Sequence, residues 1–478
     1  MKKIGVLLCF IAIISSCSYY GNGELEGVRG REVWYTEDPY GMLFIPMGSY
    51  QMGPNDQDVP WAMTAQSKTV SMQAFWMDET EITNNEYRQF VYWVRDSIAY
   101  MLLGEQMEEF LIMENDYGEE VDPPFIDWYR RIRWDGDDER EILAEMFYPE
   151  HERYYRRKEL DTRKLNFEYY WIDLRQAAKK FTFEDDNNSQ RRRFNFDEME
   201  YDGDVINFSV ERKGIKTDRS EVGKTVPVKD RGSFIMKDVI NVYPDTLCWI
   251  SDFTYSFNEP MTNMYFWHPA YDNYPVVGIS WMQARAFSVW RTQLLNGYLL
   301  ESGMTIVQDY RLPKESEWEY AARGNLNSSM YPWGGYYTRN YSGCFIVNFK
   351  PLRGNYPADG GLHTVIVAHY GPNEFGLYDM AGNVAEWTAN AFDESAYSFT
   401  HDLNPDYAYD ALPDDLPVMK RKVVRGGSWK DIAYYCQCGT RTYEYQDTAK
   451  SYIGFRNVRT FLGRRHDRDI TPDESAIY

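Results

Sequence analysis

The residues with the most chemical scope stand between Phe375 and Trp387, in the run F-G-L-Y-D-M-A-G-N-V-A-E-W. Gly376 and Gly382 permit positive φ and sharp reversals of the chain. Asp379, Asn383 and Glu386 put three oxygen-bearing side chains within eight residues. A reversing backbone also exposes its carbonyls. Hard oxygens converging on one point suit calcium, which takes about six to eight of them. The same residue types also make an ordinary turn, in which Asp and Asn bond only to their own backbone.

Other chemistries find less support. The six histidines form no His-x-x-x-His pair, and neither a G-x-S-x-G nor a P-loop motif occurs. Glu315, Glu317 and Glu319 tempt one toward acid–base work. Their odd spacing on a helix, with Trp318 as the buried anchor, predicts solvated or capping carboxylates instead. Beyond the first twenty residues there are four cysteines, Cys248, Cys344, Cys436 and Cys438. Four cysteines allow three pairings. A bond between Cys436 and Cys438 on one strand would be strained, so at most one long-range disulfide is expected, its pairing open. As a lone metal site Cys436-x-Cys438 supplies too few ligands.

The elements that must position these residues can be read in part. Gly41 to Gly53 predicts two short strands. Thr83 and Glu86 have capping-box spacing, and Tyr87, Phe90, Val91 and Val94 follow at helical period. Ser280 and Gln283 repeat the box, with Ala284, Phe287, Trp290 and Leu294 as the buried stripe. Lys224 to Phe257 alternates as strands do, and Asn404 to Pro417 reads as a loop.

A chain of 478 residues has room for a large core and, by length, two or more domains. The net charge of −22 argues against nucleic acid, and the Arg191–Arg193 run reads as local ion pairing. Forty Tyr and fifteen Trp point to contact surfaces, or equally to carbohydrate binding. Lys2 and Lys3 precede an apolar run, Ile4 to Ile14, too short to span a bilayer. Residues 1–16 read as a signal peptide. Ser15-Ser16-Cys17 resembles a bacterial lipobox, which implies lipidation at Cys17 and a tether over 17–40. Neither Ser18 nor Tyr19 is the Asp that retains lipoproteins at the inner membrane, so the expected location is the outer membrane, facing the periplasm.

The 375–387 run resembles the G-L-Y-D-M-x-G-N-V-x-E-W signature of the formylglycine-generating-enzyme family. Further likenesses are E-x-T-N-x-x-Y-x-x-F at Glu81–Phe90, Arg311 to Gly324 against R-L-P-T-E-x-E-W-E-Y-A-A-R-G, the R-G-G-S-W strand at Arg425–Trp429, and G-F-R at Gly454–Arg456. Lys314 replaces the usual Thr and so loses a capping hydroxyl. The resemblance implies an α+β fold, irregular and related to C-type lectins. It would be built from residues 41–97 and 266–463 around an insertion at 98–265, with a polar tail at 464–478. The insertion is rich in Tyr, Trp and Arg and is read as a docking surface. The resemblance also implies calcium held by the side chains of Asp379 and Glu386 and the carbonyls of Gly382 and Val384. Asn348 and Asp359 are weaker candidates for a second calcium. The family's enzymes bind copper through two cysteines after the G-G-S-aromatic motif. The first position is Asp431 here, a poor Cu(I) ligand, and Cys436 lies near the second. No copper and no catalysis are expected.

The lipobox, Gly27 to Arg31, Tyr40-Gly41-Met42 and the helix Y-R-Q-F-V-Y-W-V-R-D-S at Tyr87–Ser97 together resemble the GldK/PorK family of type IX secretion and gliding-motility lipoproteins. That implies a non-catalytic, homo-oligomeric ring under the outer membrane with a GldN/PorN-type periplasmic partner. Through this partner it would contact the GldL/GldM motor. The rival readings are an active copper-dependent oxidase and a lectin-like glycan binder.

Overall fold

Strand β1 (Met42–Ile45) lies antiparallel to β2 (Phe75–Asp78), with Met42 opposite Asp78. All four β2 residues are buried, as befits a strand covered on both faces. Between them, Gly48–Met52 and Lys68–Met72 form a separate hairpin. The computed structural model describes residues 35, 37–54, 66–114, 117–178, 203–253 and 259–463, with short pieces at 180–181, 190–191, 194–195 and 200–201. The leader, Cys17, most of the tether, Arg192–Arg193 and the 464–478 tail lie outside the described residues. Residues 38–461 are one compact unit; of the other, 1–37 with 462–478, only residues 35, 37, 462 and 463 are described.

Helix α1 (Asn84–Gly104) starts at the predicted box. Thr83 Oγ1 accepts from Glu86 N, and Glu86 Oε2 accepts from Thr83 N at 2.7 Å. It runs past Ser97 because Ala99, Tyr100 and Leu103 pack on a satellite cluster with Phe110, Leu143 and Met146. Next, β3 (Asn166–Ile172) pairs antiparallel with β4 (Ile235–Asn241). Phe167 and Tyr169 turn inward and join Phe90, Phe287 and Trp290 in the main core, Phe90 meeting Phe167 edge-on at 5.2 Å. This part of the chain therefore shares the central core. The predicted strands of 224–257 end early, because Cys248–Asp252 forms a short helix.

Helix α2 (Trp281–Glu301) has its Ser280/Gln283 box. Ala284, Phe287 and Trp290 are buried as expected, but Leu294 is 51% exposed. The stripe fails there because the burial shifts to Thr292 and Leu299 as the helix leaves the core. Strand β5 (Tyr310–Arg311) and helix α3 (Glu315–Arg323) follow, and every α3 residue is buried. Strands β6 (Ala385–Ala391), β7 (Arg421–Arg425), β8 (Thr442–Tyr445) and β9 (Ile453–Gly454) form a sheet ordered β8-β7-β6-β9, with β9 parallel to β6. Strand β10 (Val458–Thr460) returns between β2 and β5 to complete the first sheet, β1-β2-β10-β5. The G-G-S-W segment is not strand. Chain β7 stops at Arg425, and Gly426 and Gly427 take φ of 92° and 66°. At Gly427 a side chain would meet the Tyr435 carbonyl at 2.8 Å.

A stack of rings and cations ties β3 to the core. Arg285 lies 4.7 Å from Trp171 and 5.7 Å from Trp281, and Lys422 lies 3.8 Å from Trp281. The Lys422 ammonium donates to Tyr409 O at 2.7 Å, and burial depresses its pKa to about 7 from 10.5. Between those values the folded chain holds fewer protons than the unfolded one, so stability rises with pH across the window. Each unit there is worth at most about 1.4 kcal/mol. Lys422→Met should flatten urea-unfolding stability between pH 7 and pH 10 relative to the wild type. Parallel slopes would mean that Lys422 keeps its ordinary pKa.

Candidate functional site

The 375–387 loop is shaped by four positive φ angles, at Gly376 (87°), Asp379 (56°), Gly382 (74°) and Asn383 (59°). Gly382 admits no side chain, because one would collide with the Asn348 carbonyl oxygen. The left-handed turn at Asn383 aims its amide inward. Oδ1 accepts from Val365 N (2.9 Å) and Asn348 Nδ2 (3.2 Å), while Nδ2 donates to Glu81 Oε2 (2.6 Å). Glu81 Oε1 also accepts from Val384 N at 3.1 Å.

Glu81 was not singled out in the sequence, although it begins the E-x-T-N motif. It sits with Asp379 and Glu386 around the Arg456 guanidinium, and all three carboxylates are buried. Burial holds the Glu81 carboxyl well above its usual range, with Asp379 and Glu386 adding repulsion. Burial likewise pushes Asp379 up to about 6, against the opposing Ala368 N–H and Arg456. Asp379 Oδ2 accepts from Ala368 N at 2.7 Å.

Glu386 is committed elsewhere than the calcium expectation places it. Both its oxygens accept from Arg456, at 2.6–2.9 Å, and Oε2 also accepts from Trp318 Nε1 at 2.7 Å. Among the described residues no three His, Cys, Asp or Glu side chains converge as a ready-made metal cage. The cluster suits a cation by charge, since three carboxylates face one guanidinium, but Glu386 does not fit as a direct ligand while it holds Arg456. That leaves Asp379 and the Gly382 and Val384 carbonyls of the expected set. Millimolar calcium against EDTA should raise the thermal midpoint, by about 2.7 kcal/mol of stability at a hundredfold excess over Kd. Asp379→Asn should abolish the rise. A midpoint indifferent to calcium would leave Arg456 as the counter-ion.

Asn348 and Asp359 come together on either side of Gly361, where a Cβ would touch Asn348 Oδ1 at 2.8 Å. The Asn348 amide nitrogen and both Asp359 oxygens are taken by backbone and amide partners. Asn348 Nδ2 donates to His363 O at 2.9 Å, and the Asp359 carboxylate accepts from Phe349 N and Gly361 N, both at 2.9 Å. Both residues tie the backbone of this loop together.

The solvated reading of the α3 carboxylates is corrected. Glu317 does serve as a cap, accepting from Lys314 N at 2.9 Å, but it is also clasped by both Arg311 terminal nitrogens at 2.7 Å. Glu315 pairs with Arg425 and Arg441, and Glu319 with Arg323 and Arg425, at 2.6–2.8 Å. Four arginines, from other segments or from the end of α3, make burial tolerable. Ion pairing and capping account for these contacts of all three carboxylates.

At the expected copper position, Asp431 Oδ2 accepts from Ser428 Oγ at 2.6 Å, and burial raises its carboxyl pKa. Cys436 ends a short 3-10 turn, Ala433–Cys436, so it and Cys438 do not share a strand. They pack in different clusters, Cys436 with Tyr331 and Phe349, Cys438 with Trp318 and Tyr397. Burial raises both thiol pKa values, Cys438 to about 12. All four described cysteines are free. A hard carboxylate beside one protonated thiol does not fit Cu(I).

The profile of the family described as "Sulfatase-modifying factor enzyme 1-like domain" matches residues 34–146 and 241–461. The unmatched interval, 147–240, is shorter than 98–265. The chain is 33% identical over 190 residues to a Bos taurus protein named "Inactive C-alpha-formylglycine-generating enzyme 2", covering 38% of this chain and 49% of that protein. It is 31% identical over 208 residues to the formylglycine-generating enzyme of Streptomyces coelicolor, covering 43% and 56%. It thus spans about half the length of the curated relatives it matches. Among solved structures, PvdO from Pseudomonas aeruginosa aligns over 88% of this chain and 94% of its own, at 14% identity and a TM-score of 0.39.

Proposed function

Because the chain belongs to the Sulfatase-modifying factor enzyme 1-like family, we propose that it keeps the family scaffold for assembly and not for oxidation. The observation that carries this reading is Asp431. It stands where the first copper thiolate is expected, already bonded to Ser428, beside a buried and protonated Cys436. Relatives named as inactive offer a precedent for the fold without the chemistry.

On this reading the protein is a structural lipoprotein of the type IX secretion and gliding apparatus. Cys17 carries the lipid, the outer membrane holds it, and the body faces the periplasm. Copies form a ring with a GldN/PorN-type partner, and through it meet the GldL/GldM motor. The support is the lipobox-like Ser15-Ser16-Cys17, the N-terminal motifs and the aromatic, exposed chain around Tyr129, Tyr154 and Tyr155. Calcium at Asp379, Gly382 and Val384 would stiffen the platform by balancing buried charge.

Affinity purification from native membranes, with mass spectrometry of what co-purifies, tests the reading. It expects stoichiometric periplasmic and inner-membrane partners and a multimeric particle. A monomer without partners, or oxygen consumption with a peptidyl-cysteine substrate, overturns it.

A further inference from the structure

Strand β3 has an edge with no backbone partner among the described residues. Its register pairs Ile172 with Ile235 and Asn166 with Asn241. Two flanking bonds fix which residues face β4: Asp173 N to Phe234 O and Val242 N to Leu165 O, both 2.9 Å. Antiparallel ladders alternate, so Phe167, Tyr169 and Trp171 turn their amides and carbonyls toward β4. Glu168, Tyr170 and Ile172 turn theirs away. The far edge of β4 is covered, since Val210 N donates to Lys237 O (2.8 Å) and Lys237 N to Ser209 Oγ (3.1 Å). An open row of N–H and C=O groups is a template for another strand.

That edge leads into a cavity of about 750 Å³. Residues 170–175 form one wall, and the α2 face carrying Trp281, Arg285, Val289 and Asn296 forms the other. Both indoles already carry cation contacts, Arg285 on Trp171 and Arg285 with Lys422 on Trp281. The charges are unevenly answered. Arg175 and Arg285 share Asp410, and Arg311 holds Glu317. Asp309, exposed on the lining, has no hydrogen-bond or ion-pair partner among the described residues, and partial desolvation raises its pKa. Of the carboxylates lining the groove, Asp309 is thus the one left without a partner among the described residues. Tyr170, Ile172 and Leu174 add an exposed apolar rim.

We propose that an extended segment of a partner protein, apolar at alternate positions and carrying a Lys or Arg, adds as a strand to the open edge of β3 and sets its basic side chain against Asp309. Main-chain bonds would supply affinity, and the groove and Asp309 would supply selectivity. The proposal rests on the assembly reading for its biological setting and names the place where one partner is held.

The test pans a phage-displayed random linear peptide library on the full chain, with Ile172→Pro as the counter-selected control. Proline at 172 removes an outward N–H and leaves the β4 ladder intact. Enriched peptides should alternate apolar residues and include Lys or Arg. A synthetic copy N-methylated at alternate residues should bind about tenfold more weakly, as should the original on Asp309→Asn. Asp309→Asn changes an unpartnered group and should fold normally. No enrichment over Ile172→Pro, or equal binding of the N-methylated copy, overturns the proposal. So does hydrogen-exchange protection of the Glu168, Tyr170 and Ile172 amides in the isolated chain, or a dimer lost in Ile172→Pro, which would mean that β3 pairs with its own copy. If Ile172→Pro and Asp309→Asn recover partners from membranes at full yield, the site fails and the assembly reading stands. If peptides bind but membranes yield no partner, the assembly reading fails and the site stands.

Discussion

Arg456→Met should cost the fold about 3–5 kcal/mol, read as a fall in the urea-unfolding midpoint. Arg456 is fully buried, and it bonds more than Glu386. Its Nη1 donates to Asp78 O at 3.1 Å and its Nη2 to Tyr378 O at 2.9 Å, so it joins β2, the 375–387 turn and β6. Methionine fills much of the volume but leaves Glu81, Asp379 and Glu386 facing one another. Buried carboxylates without a partner must take up protons or find another cation. Lysine should rescue poorly, because a point charge cannot reproduce the planar two-nitrogen clasp on Glu386. In the double variant Glu386→Gln with Arg456→Met, the loss should be smaller than the sum of the singles, since the glutamine no longer carries a charge that needs answering. A loss below about 1 kcal/mol for Arg456→Met would show that the arginine is not the principal counter-ion. A large loss restored by calcium would put a divalent cation beside it.

The parts of this site legible in the sequence were those fixed by neighbours in the chain. Both capping boxes formed because their donors and acceptors lie three residues apart. The reversals at Gly376 and Gly382 formed because few other residues tolerate their angles. The choice of partner across the fold was not legible. Glu386 looked like a calcium ligand until β9 and the turn after it brought Arg456 to it. Glu315 and Glu319 looked solvated because Arg425 and Arg441 are more than a hundred residues away in sequence. The signal that could have found them was the count of arginines in the same motifs: Arg311, Arg323, Arg425 and Arg456 each stand in a stretch that carries the family likeness. Glu81 was missed for a related reason. Its motif read as a helix start, and its bond to Asn383 crosses three hundred residues.

Asp431→Cys should convert a chain that retains no Cu(I) against a chelator into one that retains about one copper per molecule. Two changes act together. The substitution supplies a soft donor in place of a hard one. It also removes the carboxylate whose charge, after burial itself, opposes ionisation of Cys436. Copper would then displace protons from both thiols, so retention should strengthen with rising pH, and protons should be released on binding. Ser428 loses its acceptor in this variant, but a hydroxyl can turn to another partner, so the fold should survive. Cys436→Ser in the Asp431→Cys background should return copper retention to the wild-type level, while Cys438→Ser should not, because Cys438 packs in a different cluster, beside Trp318 and Tyr397. Tight stoichiometric copper in the wild type would contradict all of this. It would mean that the carboxylate at 431 does not decide the chemistry, and the case for a scaffold without catalysis would lose the residue it stands on.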